Sequence, residues 1–167
     1  NDRTDAVVRV TSGNFELGNS TTGGNANATI DRAYVNHKFG ERVSLKAGRF
    51  GQVVGGGLAF DGTFDGAQFN AGNDKVNFQA AYGYAVSGEA AGLTKEQNVT
   101  NTILNLNGKV GKHTTVGGFY DRVNQSSGIK NVYGFNADAN FDKVWVGGEW
   151  LKASNQDESQ AWTAGLG

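Results

Sequence analysis

Residues 132–141 read VYGFNADANF, in which Tyr133, Phe135, Ala137, Ala139 and Phe141 are apolar and Gly134, Asn136, Asp138 and Asn140 are small or polar. A period of two belongs to a β-strand with one apolar and one wet face, because successive side chains point to opposite sides. The same alternation recurs along the chain. It predicts strands near 5–17, 28–39, 43–50, 63–71, 75–85, 100–110, 114–123, 131–141, 143–153 and 160–167, which is about ten. No segment has a helical period and none reads as a linker; Gly and Asn supply the punctuation.

The alternation leaves open which face meets water. A soluble sandwich packs its apolar faces together, whereas a membrane barrel turns them to lipid and keeps its polar faces inside. Composition leans to the second. There are 26 Gly and only 19% charged residues, yet 11% aromatics and the regular alternation oppose disorder. Mean hydropathy is −0.45, which suits a barrel that shows lipid only every second residue. No apolar run approaches the roughly 20 residues of a membrane helix. The absence of Cys excludes disulfides and thiolate metal sites, and a net charge of −1 gives nucleic acid no basic face.

Connection lengths alternate as well. FGER (39–42), GND (72–74), VGKH (110–113) and FDK (141–143) are tight. Between them lie longer segments at 18–27, 51–62, 86–99, 124–130 and 154–160. Short turns at one end and long loops at the other describe an up-and-down meander of the outer-membrane type.

Energy sets the register, since Arg or Lys on a lipid face near the bilayer middle costs about 2–4 kcal/mol. The expected outward set therefore includes Ala33, Val35, Phe39, Val76, Phe78, Ala80, Tyr82, Tyr84, Leu104, Leu106, Val110, Val144, Val146 and Trp150. A slip of one residue would reverse every face. Two residues disagree: His37 falls on the apolar side near a turn, and Arg49 shares parity with Val43, Leu45 and Ala47, which suggests a bulge at Gly48 or a strand end. Phe39 and Phe141 beside short turns, with Tyr84, Tyr120 and Trp150 toward the long loops, resemble the aromatic girdles of a barrel.

The inward set is a polar wall: Arg9, Arg32, Lys38, Lys46, Asn77, Gln79, Asn105, Asn107, Lys109, Asp121, Asn136, Asp138 and Glu149. Such a wall conducts hydrophilic solutes and needs neither catalytic residue nor cofactor. GGG at 55–57 lacks the Lys-Ser/Thr of a phosphate loop, and His37 and His113 have no ligand spacing for a metal. No His sits beside a Ser on a clear inward position, so no catalytic residue is assigned.

At DRAYVNHKFGERVSLKAGRFG, continued through LAFDGTFDGAQFNAGNDKVNFQAAYGYA, the chain resembles the OmpM-type porins of diderm Firmicutes, most clearly over 28–85. The resemblance implies a barrel with more strands, assembled as a homotrimer in the outer membrane and passing small hydrophilic solutes. It also implies peptidoglycan tethering through an S-layer homology domain absent from these residues. The end at TAGLG, without a terminal aromatic, adds to the expectation of a barrel fragment. The Gly-rich 51–62 segment, with Asp61 and Asp65 as candidate acids in or beside it, reads either as an ordinary external loop with solvated carboxylates or, by likeness to porins with an inward-folded loop, as a segment that narrows the pore.

The expectation is thus a single all-β domain over 1–167, a transmembrane antiparallel up-and-down β-barrel incomplete at both ends. Its function would be passive diffusion across the outer membrane. The alternatives are a soluble jelly-roll or lectin-like binding module and a non-conducting structural barrel. In the lectin, Phe78, Tyr82, Tyr84, Tyr133 and Phe135 would be buried between sheets.

Overall fold

A computed structural model describes residues 3–12, 28–89, 99–124, 131–154 and 159–167. They form ten strands: β1 (Thr4–Ser12), β2 (Ala28–Lys38), β3 (Val43–Val54), β4 (Phe60–Gly72), β5 (Val76–Glu89), β6 (Thr100–Val110), β7 (Thr114–Asn124), β8 (Asn131–Phe141), β9 (Val144–Ser154) and β10 (Gln160–Leu166). Each pairs antiparallel with the next, in one sheet whose spatial order is the chain order. The sheet is not closed, since β1 and β10 each have only one partner strand among the described residues. Residues 13–17 of the first expected strand, and 18–27, 90–98, 125–130 and 155–158 of the expected long loops, lie outside the described residues.

The short turns are built as the sequence suggests. The side-chain oxygen of Asn73 accepts from the backbone N–H groups of Lys75 and Val76 at 2.9 and 3.0 Å. Asp142 takes a left-handed conformation (φ 51°) in the tight turn between β8 and β9, a place where Asp is tolerated. His37 lies edge-on to Phe39 at 4.8 Å and receives a hydrogen-bond partner in Thr4, so its polar ring is satisfied beside the turn.

One connection differs. The segment 51–62, expected to be a long loop, contributes residues 51–54 to β3 and 60–62 to β4, leaving a turn of residues 55–59. The cause is visible in the inward alternation: Phe50, Gln52, Val54, Phe60 and Phe64 are all buried, so the hairpin continues for as long as it has a core to enter.

The hairpin also corrects the expectation at Gly48. Pairing runs unbroken through Gly48 to Tyr34 on one side and Gly66 on the other, so there is neither a bulge nor a strand end. Gly48 has φ 122°, and a Cβ there would strike the Ala33 carbonyl oxygen. Arg49 keeps the outward parity of Ala47 and is neutralised by Asp65 directly across on β4. Nε and Nη2 donate to the two carboxylate oxygens at 2.7 and 2.6 Å, and Nη1 donates to the Ile30 carbonyl at 3.2 Å. A bidentate pair of this kind turns a misplaced charge into a local neutral unit.

The outer face is apolar in cross-strand rows. Register places Phe78, Leu106, Gly118, Phe135, Trp150 and Trp162 in one row. Leu104, Tyr120 and Tyr133 stand in the next. Tyr82, Tyr84, Tyr133 and Phe135 are 56, 45, 40 and 59% exposed, and among the described residues no second sheet covers them.

The sheet curls strongly about its other face. In a flat sheet β4 and β9 would lie about 24 Å apart, five strand spacings, yet the turn before β4 bonds to a β9 side chain at 3.0 Å. One buried cluster joins Phe50, Val54, Phe60 and Phe64 of the β3–β4 hairpin to Ile103, Phe119, Val132, Leu151 and Ala153. Gly48→Val is expected to cost on the order of 2 kcal/mol through its backbone conformation and to lower the thermal midpoint by roughly 4–8 °C. Circular dichroism of the melt checks this, and an unchanged midpoint would remove the constraint assigned to Gly48.

Candidate functional site

The buried amides and carboxylates of the described residues, among them Gln52, Gln68, Asn105, Asn136, Asp121 and Glu149, gather on the concave face, and the 55–59 turn bends over them. Gly55 and Gly57 have φ of 65° and 108°, a path open to glycine and strained for other residues. The turn reaches Glu149 on β9, whose Oε2 accepts from the Leu58 N–H at 3.0 Å. The backbone amides of Gly56 and Ala59 act on the same carboxylate. Gly55 N–H donates to Asn105 Oδ1 at 3.3 Å, and Asn105 Nδ2 donates to the Val53 carbonyl at 3.2 Å. A Cβ at Gly56 would stand 2.9 Å from Glu149 Oε2, so the carboxylate reaches the turn because side chains are missing there. The notion of an inward-folded Gly-rich segment therefore has a concrete geometry, five residues long and tied to Glu149 and Asn105.

An amide network continues from the turn toward the short-turn end. Gln52 Nε2 donates to Gln79 Oε1 at 2.7 Å, and Asn105 Nδ2 approaches the same oxygen at 3.4 Å. Gln79 and Gln68 both donate to Asn70 Oδ1, at 3.4 and 2.8 Å. Asn107, Asn136 and Glu149 share one cross-strand row with Gly117, which leaves room for the Asn107 and Asn136 amides above it.

The cationic candidates are scattered. Lys46 is half-buried, its ammonium 5.2 Å from the Tyr34 ring centre and 5.4 Å from that of Phe50, within cation–π range. Arg9, at the β1 edge, donates from Nε to Asp31 at 2.5 Å. Arg32 bonds Asp31 at 3.2 Å and Thr63 Oγ1 at 2.9 Å, so both arginines share one carboxylate. Lys38 and Asn77 are exposed and line a cleft of about 300 Å³ between short turns, together with Arg42 and Asp74. Lys109 is exposed near the 111–113 turn, and Asp138 is half-buried over Gly147.

Three findings depart from the sequence reading. Asp61 and Asp65 alternate with the buried Phe60 and Phe64 and so lie on the outer face, Asp65 in its pair with Arg49; neither is an acid of the folded-in turn. Toward the long connections the concave side is apolar rather than a continuous polar wall, filled by Phe50, Phe64, Ile103, Phe119, Val132 and Leu151. Asp121 is buried among these groups, and among the described residues neither of its oxygens has a hydrogen-bond partner; the same is true of the Asn101 amide.

Gln52, Gln68, Asn70 and Asn101 were not among the sequence candidates. Gln52 carries a usable signal, because it lies on the parity of Lys46, but its segment reads as a loop. Gln68 is obscured by TFDGAQFNA, in which Phe64 and Phe69 have opposite parity: Phe64 is buried and Phe69 is 39% exposed.

Compared with known proteins, the chain matches no family model and no curated protein.

Two outcomes are expected. Glu149→Ala removes a charged acceptor of the turn amides, and hydrogen exchange at Gly56, Leu58 and Ala59 should quicken on the order of ten- to a hundredfold; unchanged exchange would show that the turn is held by its apolar contacts alone. Asp121→Asn replaces a buried carboxyl that has no described partner by an amide that never ionises, and should raise the thermal midpoint by a few degrees. A lowered midpoint would reveal an unseen partner for the carboxylate.

Proposed function

We propose that the chain is the membrane-spanning part of an outer-membrane β-barrel that lets small hydrophilic solutes and ions diffuse passively through its interior. One observation carries the reading: a single curled sheet turns rows of exposed apolar and aromatic side chains outward and gathers its amides and buried carboxylates inside. Burial of uncovered apolar surface in lipid is favourable, and a polar interior stays wet. A soluble jelly-roll would cover Tyr82, Tyr133 and Phe135 with a second sheet, and the described residues contain one sheet.

Within this reading the 55–59 turn narrows the passage at mid-height, opposite Asn136 and Glu149. Transport is diffusion through the part of the interior that the turn, tied to Asn105 and Glu149, leaves open, with neither cofactor nor chemical step. The partners are outer-membrane lipid and the permeating solutes. Assembly as a homotrimer, and tethering to peptidoglycan by a separate domain, follow from the resemblance to OmpM-type porins and belong to the same proposal.

A second reading has its own support. The apolar packing of Phe60, Phe119 and Leu151 around the turn fills the end toward the long connections, as a non-conducting structural barrel requires. Planar-bilayer recording of the purified full-length protein separates the two. Stable ohmic steps are expected, and Lys46→Glu should shift the reversal potential under a salt gradient toward cations. A protein that inserts and never conducts would favour the structural barrel, and an unmoved reversal potential would take Lys46 off the conducting wall.

A further inference from the structure

We propose that the outer face carries a seat for one acyl chain of a phosphate-bearing membrane lipid, in the notch above Gly118; this rests on the membrane-spanning reading. Gly118 stands in a row between Leu106 on β6 and Phe135 on β8, so the one missing side chain lies between two large ones. A Cβ at Gly118 would meet only the Gly134 carbonyl oxygen, at 3.7 Å, so the space is open. The resulting cavity of about 390 Å³ is walled by Phe78, Leu104, Tyr120, Tyr133, Phe135 and Trp150.

The notch suits hydrocarbon rather than a polar guest. The Tyr120 hydroxyl donates to Asn131 Oδ1 at 2.6 Å, and Trp150 Nε1 donates to Gln160 at 3.3 Å. Both polar tips are satisfied by side chains on neighbouring strands, which leaves ring faces for the guest.

Charge complementarity identifies the lipid class. Arg122 is the next outward residue beyond Tyr120 on β7. Among the described residues, the row of Tyr82, Thr102, Arg122, Asn131 and Ser154 contains no carboxylate. Along a strand, Arg122 and Gly118 are about 13 Å apart, or about 10 Å in depth at a barrel's tilt. That exceeds the headgroup layer of about 5–8 Å per leaflet, so a phosphate at Arg122 places its own acyl chain beside Gly118. A phosphate-free lipid would fill the notch without using the Arg122 cation above it.

The test reconstitutes the full-length protein into vesicles of mixed phosphatidylglycerol and phosphatidylcholine, extracts it gently and counts retained lipid by native mass spectrometry. One retained phosphatidylglycerol is expected, favoured severalfold over phosphatidylcholine. Gly118→Leu fills the notch and should abolish retention, whereas Ala137→Leu, an addition one carbon smaller and lower on the same face, should not. Arg122→Gln should retain lipid but lose the preference for phosphatidylglycerol. Equal retention by Gly118→Leu and the unmodified protein would overturn the seat, as would equal retention of the two lipids by the unmodified protein. So would self-association that Gly118→Leu abolishes in protein retaining no lipid, because the notch would then hold a second copy. A protein that enters vesicles and retains nothing sinks the seat alone. One that never enters vesicles sinks the membrane reading with it.

Discussion

The bond between the Leu58 N–H and Glu149 is the contact on which the shape of the molecule turns. It joins positions 91 residues apart and spans what would be five strand spacings in a flat sheet. Around it, Phe50, Phe60 and Phe64 from one hairpin meet Ile103, Phe119 and Leu151 from the far side, so the apolar cluster and the charged tie close the same curve. Neither contribution suffices by inspection. A carboxylate taken from water needs donors, and the turn amides supply them; the turn needs a reason to leave solvent, and the phenylalanines supply it.

The two faces of the sheet then divide the chemistry. On the outer face, alternation leaves large apolar groups uncovered in continuous rows, and the Arg49 charge that interrupts them is cancelled by Asp65 across the strand. On the inner face, amides bond one another in a ladder from Gln52 through Gln79 to Asn70. Asp121 stands apart, buried among apolar side chains with no described donor. A passage along this face would be amide-rich toward the short turns and apolar toward the long connections, a gradient of polarity set by which residues the turn draws inward.

Strand number, order and facing were legible because they depend on nearest neighbours in the chain. VYGFNADANF can place Tyr133 and Phe135 on one side and Asn136 and Asp138 on the other in any sheet that contains it. The tight turns were legible for the same reason, through Asn73 and Asp142. Where two signals conflicted, the reading failed. Phe64 and Phe69 have opposite parity, so Gln68 went unassigned, and GGG at 55–57 made 51–54 and 60–62 look like loop when they are hairpin.

The sequence by itself determined an antiparallel meander with an apolar and a polar face, since period-two alternation and turn chemistry are local properties. Only the tertiary structure decided which groups the concave face brings together. Whether Asp61 and Asp65 face inward, whether Arg49 is tolerated, and which carboxylate meets the glycine turn all depend on curvature. Curvature is the sum of many small twists and of contacts between distant strands, and no window of neighbouring residues contains Leu58 and Glu149 together.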